Sequence, residues 1–217
     1  MVGRIKSRYR PTLELEQAEL ALQPGAIAGI DEAGRGPWAG PVVAAAVILD
    51  LDNLPSGVAD SKALDADARE LAFASVRRTS QIGIGIADVG RIDRDNILNA
   101  TMWAMAAALR DLKTKPRLAL IDGNRLPQVS CSARAIVRGD AKCLSIAAAS
   151  IVAKVTRDRI MAELAETYPG YGFERHKGYG TPQHREALER LGPTDIHRRS
   201  FRPVQLALGL VEADESF

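Results

Sequence analysis

The 217-residue sequence has only two cysteines, Cys131 and Cys143, twelve positions apart and with no Cys-x-x-Cys pair. Two thiols cannot make a disulfide framework. With all three histidines far downstream they also make a poor zinc set, so buried structural thiols in a reducing compartment are expected. No apolar run reaches the roughly 18 residues a membrane span needs. Arg4, Lys6, Arg8 and Arg10 lead the chain without the apolar segment of a secretory signal, which places the expected location in the cytoplasm. That basic arm could touch phosphate or be a solvated tail. Charge of one sign is also nearly absent: the net is +2, which excludes a protein that blankets nucleic acid electrostatically, so an anionic partner must be held by a local patch. With 46% hydrophobic and 26% charged residues the chain is not disordered. There is no internal repeat and no low-complexity segment.

Several signatures of common chemistry are missing as well. No Walker Lys-Ser/Thr is present. Gly83, Gly85 and Gly90 lack the helix-opening Gly-x-Gly-x-x-Gly order and read as small residues in a strand, which makes a dinucleotide site improper here. No nucleophile elbow marks a serine- or histidine-driven hydrolase.

What remains is an α/β pattern. Ala26–Ile30, Val42–Leu49, Ile82–Val89, Arg117–Ile121 and Ala133–Val137 have strand length and β-branched content. Between and after them, Asp65–Arg78, Arg94–Leu112 and Leu144–Tyr168 read as helices. After Pro169 the strand signals stop, leaving a Gly-rich loop, a helix near Gln183–Leu191 and another from Pro203. The expected organisation is an N-terminal arm and lead-in (1–25), a mixed α/β sheet domain (26–168) and a small, mainly helical C-terminal extension (169–217).

The acids stand where chemistry gathers in such folds. Ala26–Ile30 runs into Asp31 and Glu32, Leu118–Ile121 runs into Asp122, and Asp140 follows the fifth strand. Ligand sites form beyond strand ends, so these acids can converge. Carboxylates a few ångströms apart stay ionised together only around something positive, and hard oxygen ligands select Mg²⁺ or Mn²⁺. On a regular strand Asp31 and Glu32 would point to opposite faces, so sharing a metal requires the chain to leave strand geometry there. Ala33-Gly-Arg-Gly-Pro37 supplies the freedom for that. Each acid taken singly also fits a solvated loop residue.

Cations flank this set: Lys62, Lys142 and Lys154, with Ser145 and Ser150 as hydroxyls able to donate to phosphate or simply to pack in a close helix. From Tyr171 to Arg202, seven Lys/Arg and three histidines outweigh four acids and are interleaved with Tyr171, Phe173 and Tyr179. Cations for the backbone and rings for sugar or base describe a nucleic-acid groove; a solvated helix over core aromatics is the alternative.

Taken together, Gly29-Ile-Asp-Glu-Ala-Gly-Arg-Gly-Pro with Ala39-Gly-Pro-Val-Val, Asp60-Ser-Lys-x-Leu, Ile121-Asp-Gly-Asn, Gly139-Asp-Ala-Lys, Ser145-Ile-Ala-Ala-Ala-Ser-Ile-Val-Ala-Lys and His176-Lys-Gly-Tyr-Gly-Thr with His184 resemble bacterial ribonuclease HII from about Ala26 to Phe201. Trp38 and Ala63 stand where that family often has Leu and Lys, and no glutamine-led, aromatic sliding-clamp peptide is seen at the C-terminus. The resemblance implies a ribonuclease-H-like mixed five-stranded sheet flanked by helices. It implies Asp31, Glu32, Asp122 and Asp140 as catalytic ligands of two divalent ions, Mg²⁺ or Mn²⁺. It further implies that Gly34, Arg35 and Gly36 contact the ribose 2′-hydroxyl and that Tyr179 stacks on the next sugar, with Lys62 and Ser145 at the substrate.

The implied reaction is hydrolysis of the RNA strand of RNA/DNA hybrids, and incision of duplex DNA at embedded ribonucleotides, leaving 3′-hydroxyl and 5′-phosphate ends. No obligate protein partner and no membrane are expected. A branch-specific nuclease on the same fold, or a binding module with purely structural acids, remains as an alternative reading of the same residues.

Overall fold

The β-branched runs form strands close to where the sequence places them, except that the third spans Ser80–Ala87 rather than Ile82–Val89, because Asp88 caps a helix that opens at Val89. In the computed structural model, which describes residues 10–59 and 64–212, these are β1 (Ile27–Ala33), β2 (Val42–Leu49), β3 (Ser80–Ala87), β4 (Leu118–Asp122) and β5 (Ser132–Ile136). They make one sheet in the order β3-β2-β1-β4-β5. β1 pairs antiparallel with β2 and parallel with β4, while β2 and β3 are antiparallel and β4 and β5 parallel. The expected mixed five-stranded sheet is therefore present.

Seven helices are seen among the described residues: α1 (Glu14–Leu22), α2 (Ala66–Thr79), α3 (Val89–Asp111), α4 (Leu144–Thr167), α5 (Phe173–His176), α6 (Pro182–Leu191) and α7 (Arg202–Ala207). None is long and apolar enough to cross a membrane.

Strand alternation sorts the core into two layers. Ala28 and Ile30 of β1, with Val42, Ala44 and Ala46 of β2, pack against Met105, Ala108 and Leu109 of α3. The intervening Ala45 and Val47 pack against Phe73 and Val76 of α2 and Ala148, Ile151 and Val152 of α4. Between β1 and α4 the fit is close: a Cβ on Gly29 would lie 2.1 Å from the backbone carbon of Ser145, so only glycine allows that approach. This contact fixes which residues of α4 face which end of the sheet.

One helix begins well before the pattern indicates, and another is unanticipated. α3 starts at Val89, capped by the Asp88 carboxylate, which accepts from Arg91 N–H at 2.7 Å. It breaks at Asn96 (φ 64°, ψ 165°), and the Asn96 amide oxygen recaps the continuing helix by accepting from Leu98 and Asn99 N–H at 3.0 and 3.1 Å. The expected start at Arg94 lies beside that break. α1 was not expected at all. Its Glu16 is buried and accepts from Ser145 N–H at 2.8 Å and Cys143 Sγ–H at 3.1 Å, placing a carboxylate on the N-terminus of α4. Thr12 bridges to Cys143 beside it. Residues 10–25 thus pack on the sheet domain; Arg4, Lys6 and Arg8 of the basic arm lie outside the described residues.

The cysteines are free, with Cys143 buried and Cys131 partly exposed. Burial, and then the facing Glu16 carboxylate, push the Cys143 thiol up to about 12, so it is an inert packing residue.

Candidate active site

β1 does not end at Ile30. It continues through Asp31, Glu32 and Ala33, which pair with Ala45, Ala44 and Val43 of β2, so the expected departure from strand geometry at the two acids does not occur. The reason is the second neighbour: pairing with β4 stops at Ile30–Ile121, while pairing with β2 goes on. The chain leaves the strand only at Gly34 (φ +98°), where a Cβ would lie 2.0 Å from Arg157 Nε. Alternation therefore sends Asp31 to the α4 side and Glu32 to the α3 side.

The two acids still share an environment. Asp31 is buried, and its Oδ1 accepts from Glu32 N–H at 2.7 Å. Burial, then the charges of Glu32 and Asp122, hold the Asp31 carboxyl well above the ordinary range, against hydrogen bonds from Ser150 and the Glu32 N–H. Glu32 is raised too, by burial first, although Arg35 draws it back, with Nη1 3.4 Å from Oε1. Asp122 ends β4, and its Oδ1 accepts from Gly139 N–H at 2.7 Å. That bond ties the single 3-10 turn Gly139–Ala141, and with it the buried Asp140, to the strand end. The turn is entered through Arg138 in the left-handed region.

Asp31, Glu32 and Asp122 thus act on one another electrostatically, and Asp140 is tethered next to Asp122. Among the described residues, however, no three acidic, histidine or cysteine side chains close on one point as a ready-made metal cage. The donor chemistry nonetheless fits a divalent cation: hard oxygens only, mutually repelling, with two carboxyls pushed up by burial and by each other.

Two clefts meet at Glu32 and Arg35. One, of about 260 Å³, is lined by Glu32, Gly34, Arg35, Gly36, Arg69, Ser150, Lys154 and Tyr179. The other, of about 280 Å³, is lined by Glu32, Arg35, Leu98, Met102, Asp122, Asn124 and Arg125. Of the residues expected at the substrate, Gly34, Arg35, Gly36 and the exposed Tyr179 are therefore brought to the acids. Lys62 lies outside the described residues.

Ser145 is elsewhere. It is buried at the other end of β1, where it lines a small cavity with Gly25, Ala26 and Ile27 and bonds Glu16 through its N–H. Ser150, lower on the same helix, is the hydroxyl that reaches Asp31. Lys154 lines the first cleft while paired with Asp158 at 2.7 Å. Arg69, which donates to the Leu64 carbonyl at 2.7 Å, lines it too. It is a single arginine in an ordinary amphipathic helix, and no sequence signal marks it.

The C-terminal extension corrects the aromatic part of the expected cationic, aromatic groove, while Arg175, Arg185, Arg190, Arg199 and Arg202 are exposed. Tyr171, Phe173, His176, His184 and His197 are all buried, and only Tyr179 of the three rings is exposed. His184 and His197 meet through their Nε2 atoms at 3.1 Å; His184 Nδ1 bonds the Tyr179 carbonyl at 3.0 Å, and His197 Nδ1 bonds Thr194. Burial lowers both imidazoles to about 4, so they are neutral packing groups that seat the tyrosine loop. Arg198 is likewise fully buried and lines neither cleft, whereas Arg157 of α4, only 1% exposed, lines the first.

Residues 28–204 match the family model described as Ribonuclease HII. The chain is 60% identical over 189 residues to the ribonuclease HII of Parvibaculum lavamentivorans, spanning 86% of this chain and 70% of that protein. It is 56% identical over 181 residues to that of Bradyrhizobium diazoefficiens (83% and 69%). Among solved structures it is similar to ribonuclease H2 from Pyrococcus horikoshii (TM-score 0.70, 27% identity, 85% of this chain and 98% of that one). It is also similar to the RNase HII of a PCNA complex from Archaeoglobus fulgidus (TM-score 0.69, 29% identity, 82% and 95%). A Bst-RNase HIII in complex with Mn²⁺ shares the fold (TM-score 0.71, 20% identity, 88% and 72%).

Proposed function

Because the chain belongs to the ribonuclease HII family of endoribonucleases, which cleave RNA in RNA/DNA hybrids, we propose that it also incises duplex DNA at embedded ribonucleotides, leaving 3′-hydroxyl and 5′-phosphate ends. The observation that carries this reading is the mutual field of Asp31, Glu32 and Asp122 at the ends of β1 and β4, beside a glycine loop and an exposed tyrosine. Asp31, Glu32, Asp122 and Asp140 would hold two divalent ions, Mg²⁺ or Mn²⁺. When bound, the ions supply an activated water and stabilise the leaving 3′-oxygen.

The chain's own residues do the rest. The Gly34–Gly36 backbone receives the ribose 2′-hydroxyl, the group that distinguishes RNA from DNA at one position. Tyr179 stacks on the sugar that follows. Lys154, Arg69 and Ser150 line the cleft where a phosphate would sit; a substrate role for Lys62, which lies outside the described residues, rests on the family resemblance alone. Residues 26–168 carry the acids and 169–217 carry Tyr179, a division of labour between the two segments.

The archaeal relative is solved in a complex with PCNA. For this chain we propose action without an obligate protein partner, in the cytoplasm. The test is incubation of a duplex carrying one ribonucleotide, with Mg²⁺ or Mn²⁺ and with chelator, followed by end-group analysis. Cleavage only with metal, giving 3′-hydroxyl and 5′-phosphate ends, is expected. A 2′,3′-cyclic phosphate, or cleavage in chelator, would overturn the reading.

A further inference from the structure

The strongest unexplained feature outside the carboxylates is a pair of buried arginines behind the glycine loop. Arg198 is 0% exposed and Arg157 1%. Buried charges normally pair with carboxylates or are avoided altogether. Here the hydrogen bonds of both guanidinium groups go to main-chain carbonyls of one loop and its neighbour. Arg198 donates to the carbonyls of Gly34 (2.6 Å), Arg35 (2.9 Å), Gly40 (2.8 and 3.0 Å) and Pro41 (3.3 Å). Arg157 donates to Pro41 (2.9 Å), Ala39 (3.2 Å) and Lys177 (3.1 Å).

Two consequences follow from peptide geometry. In a trans peptide the carbonyl and the N–H of the next residue point in opposite directions, and no peptide of the described chain is cis. Holding the Gly34 and Arg35 carbonyls against Arg198 therefore turns the N–H groups of Arg35 and Gly36 away from it. Residues 34–36 line the first cleft, as does Arg157, and Arg198 does not. Among the described residues neither N–H is committed to another group of the chain. Both are uncommitted donors turned away from Arg198, in a loop that lines the cleft, and their direction is set by a side chain outside that lining.

We propose that Arg198 is a positioning residue for sugar recognition: its fork fixes the carbonyls of Gly34 and Arg35 inward so that the following two amides face the ribose 2′-oxygen as preset donors. Arg157, against which Gly34 is packed, fixes the far side of the same loop. This rests on the reading that the 34–36 backbone meets the 2′-hydroxyl, and deepens it. Lysine cannot replace Arg198, because a point charge on a flexible stem does not span four diverging carbonyls.

The test is the affinity of wild type and Arg198→Lys for two duplexes that differ only at one position, ribose or deoxyribose, measured by fluorescence anisotropy in chelator, with folding followed by thermal melting. Wild type is expected to prefer the ribose duplex. The variant is expected to lose that preference by about tenfold, the worth of organised hydrogen bonds, while binding the all-deoxy duplex as wild type does.

A variant that melts cooperatively and keeps the full preference would overturn the positioning role. A wild type with no preference would instead overturn the 2′-hydroxyl reading beneath it. Should Arg198→Lys fail to melt cooperatively, the wild-type protein decides by NMR. The Arg198 Nε–H is expected to be strongly protected from exchange, and the Arg35 and Gly36 amides to shift with the ribose duplex and not with the deoxy one. An Arg198 Nε–H exchanging as fast as that of the exposed Arg35 would overturn the proposal.

Discussion

The acids at the ends of β1 and β4 and the two buried arginines, Arg157 of α4 and Arg198 of the C-terminal extension, are opposite solutions to burying charge. Asp31 and Glu32 are pushed up by desolvation and by acidic neighbours, so the folded chain leaves their demand unmet. Arg198 and Arg157 are just as buried and are lowered by burial, Arg198 also by the charge of Arg157, but main-chain carbonyls within the protein take up the hydrogen bonds of every guanidinium nitrogen. A site awaiting a ligand is recognised by repulsion it cannot resolve alone; a scaffold is recognised by satisfaction. The contrast extends to His184 and His197, which burial keeps neutral and which bond one another, the Tyr179 carbonyl and Thr194.

The largest expected effect of breaking this contrast is at Asp31. Asp31→Asn should lower turnover of a ribonucleotide-containing duplex by about 10³-fold or more, several kcal/mol of transition-state stabilisation. In chelator the same variant should melt at a higher temperature than wild type, because one of the mutually repelling carboxylates is gone. Parallel kinetics and thermal melts check both; a variant both inactive and less stable in chelator would show that Asp31 is structural.

Acid should pull the two regions apart. His184 and His197 are lowered to about 4 from 6.5. The unfolded chain therefore takes up protons first, and their contribution to stability is lost as pH falls from about 6.5 to 4. Asp31 and Glu32 have raised values, so their contribution runs the other way: it is present in acid and lost as pH rises through their folded pKa. Urea unfolding across pH 4–7, in chelator, should show His184→Gln removing part of the acid-induced loss, about 3 kcal/mol at most, and Asp31→Asn leaving that loss in place.

How far such a contrast was legible in the sequence differs between the regions. Strands, their order along the chain and the acids that end them were readable, because β-branched runs and turn residues are local signals. The extent of β1 was not, because Asp31 to Ala33 are held by β2, a partner selected by tertiary pairing. α1 escaped notice because its anchor, Glu16, caps a helix that begins far along the chain. In the extension, composition showed cations and rings but not burial. His184, His197, Arg198, Tyr171 and Phe173 therefore looked like a groove, whereas only Tyr179 faces one. Ser145 and Ser150 are indistinguishable by residue type; the close packing of α4 on Gly29 decides which of them meets the acids.

Two smaller effects sharpen these distinctions. Tyr179→Ala should weaken duplex binding about tenfold, the worth of one stacking ring, and leave the melting temperature unchanged, since the ring is 45% exposed; anisotropy and calorimetry check this. Ser145→Ala should change turnover less than about twofold, as expected for a hydroxyl remote from the acids, whereas Ser150→Ala should change it more. Steady-state kinetics of the pair distinguish the two ends of α4.

The most direct test of the unmet demand at the strand ends is calorimetric titration of Mn²⁺ into wild type and Asp31→Asn, repeated in two buffers of different ionisation enthalpy. Binding to wild type with release of protons, and its loss in Asp31→Asn, is the expected result. Equal binding by both proteins, with no proton released, would contradict it.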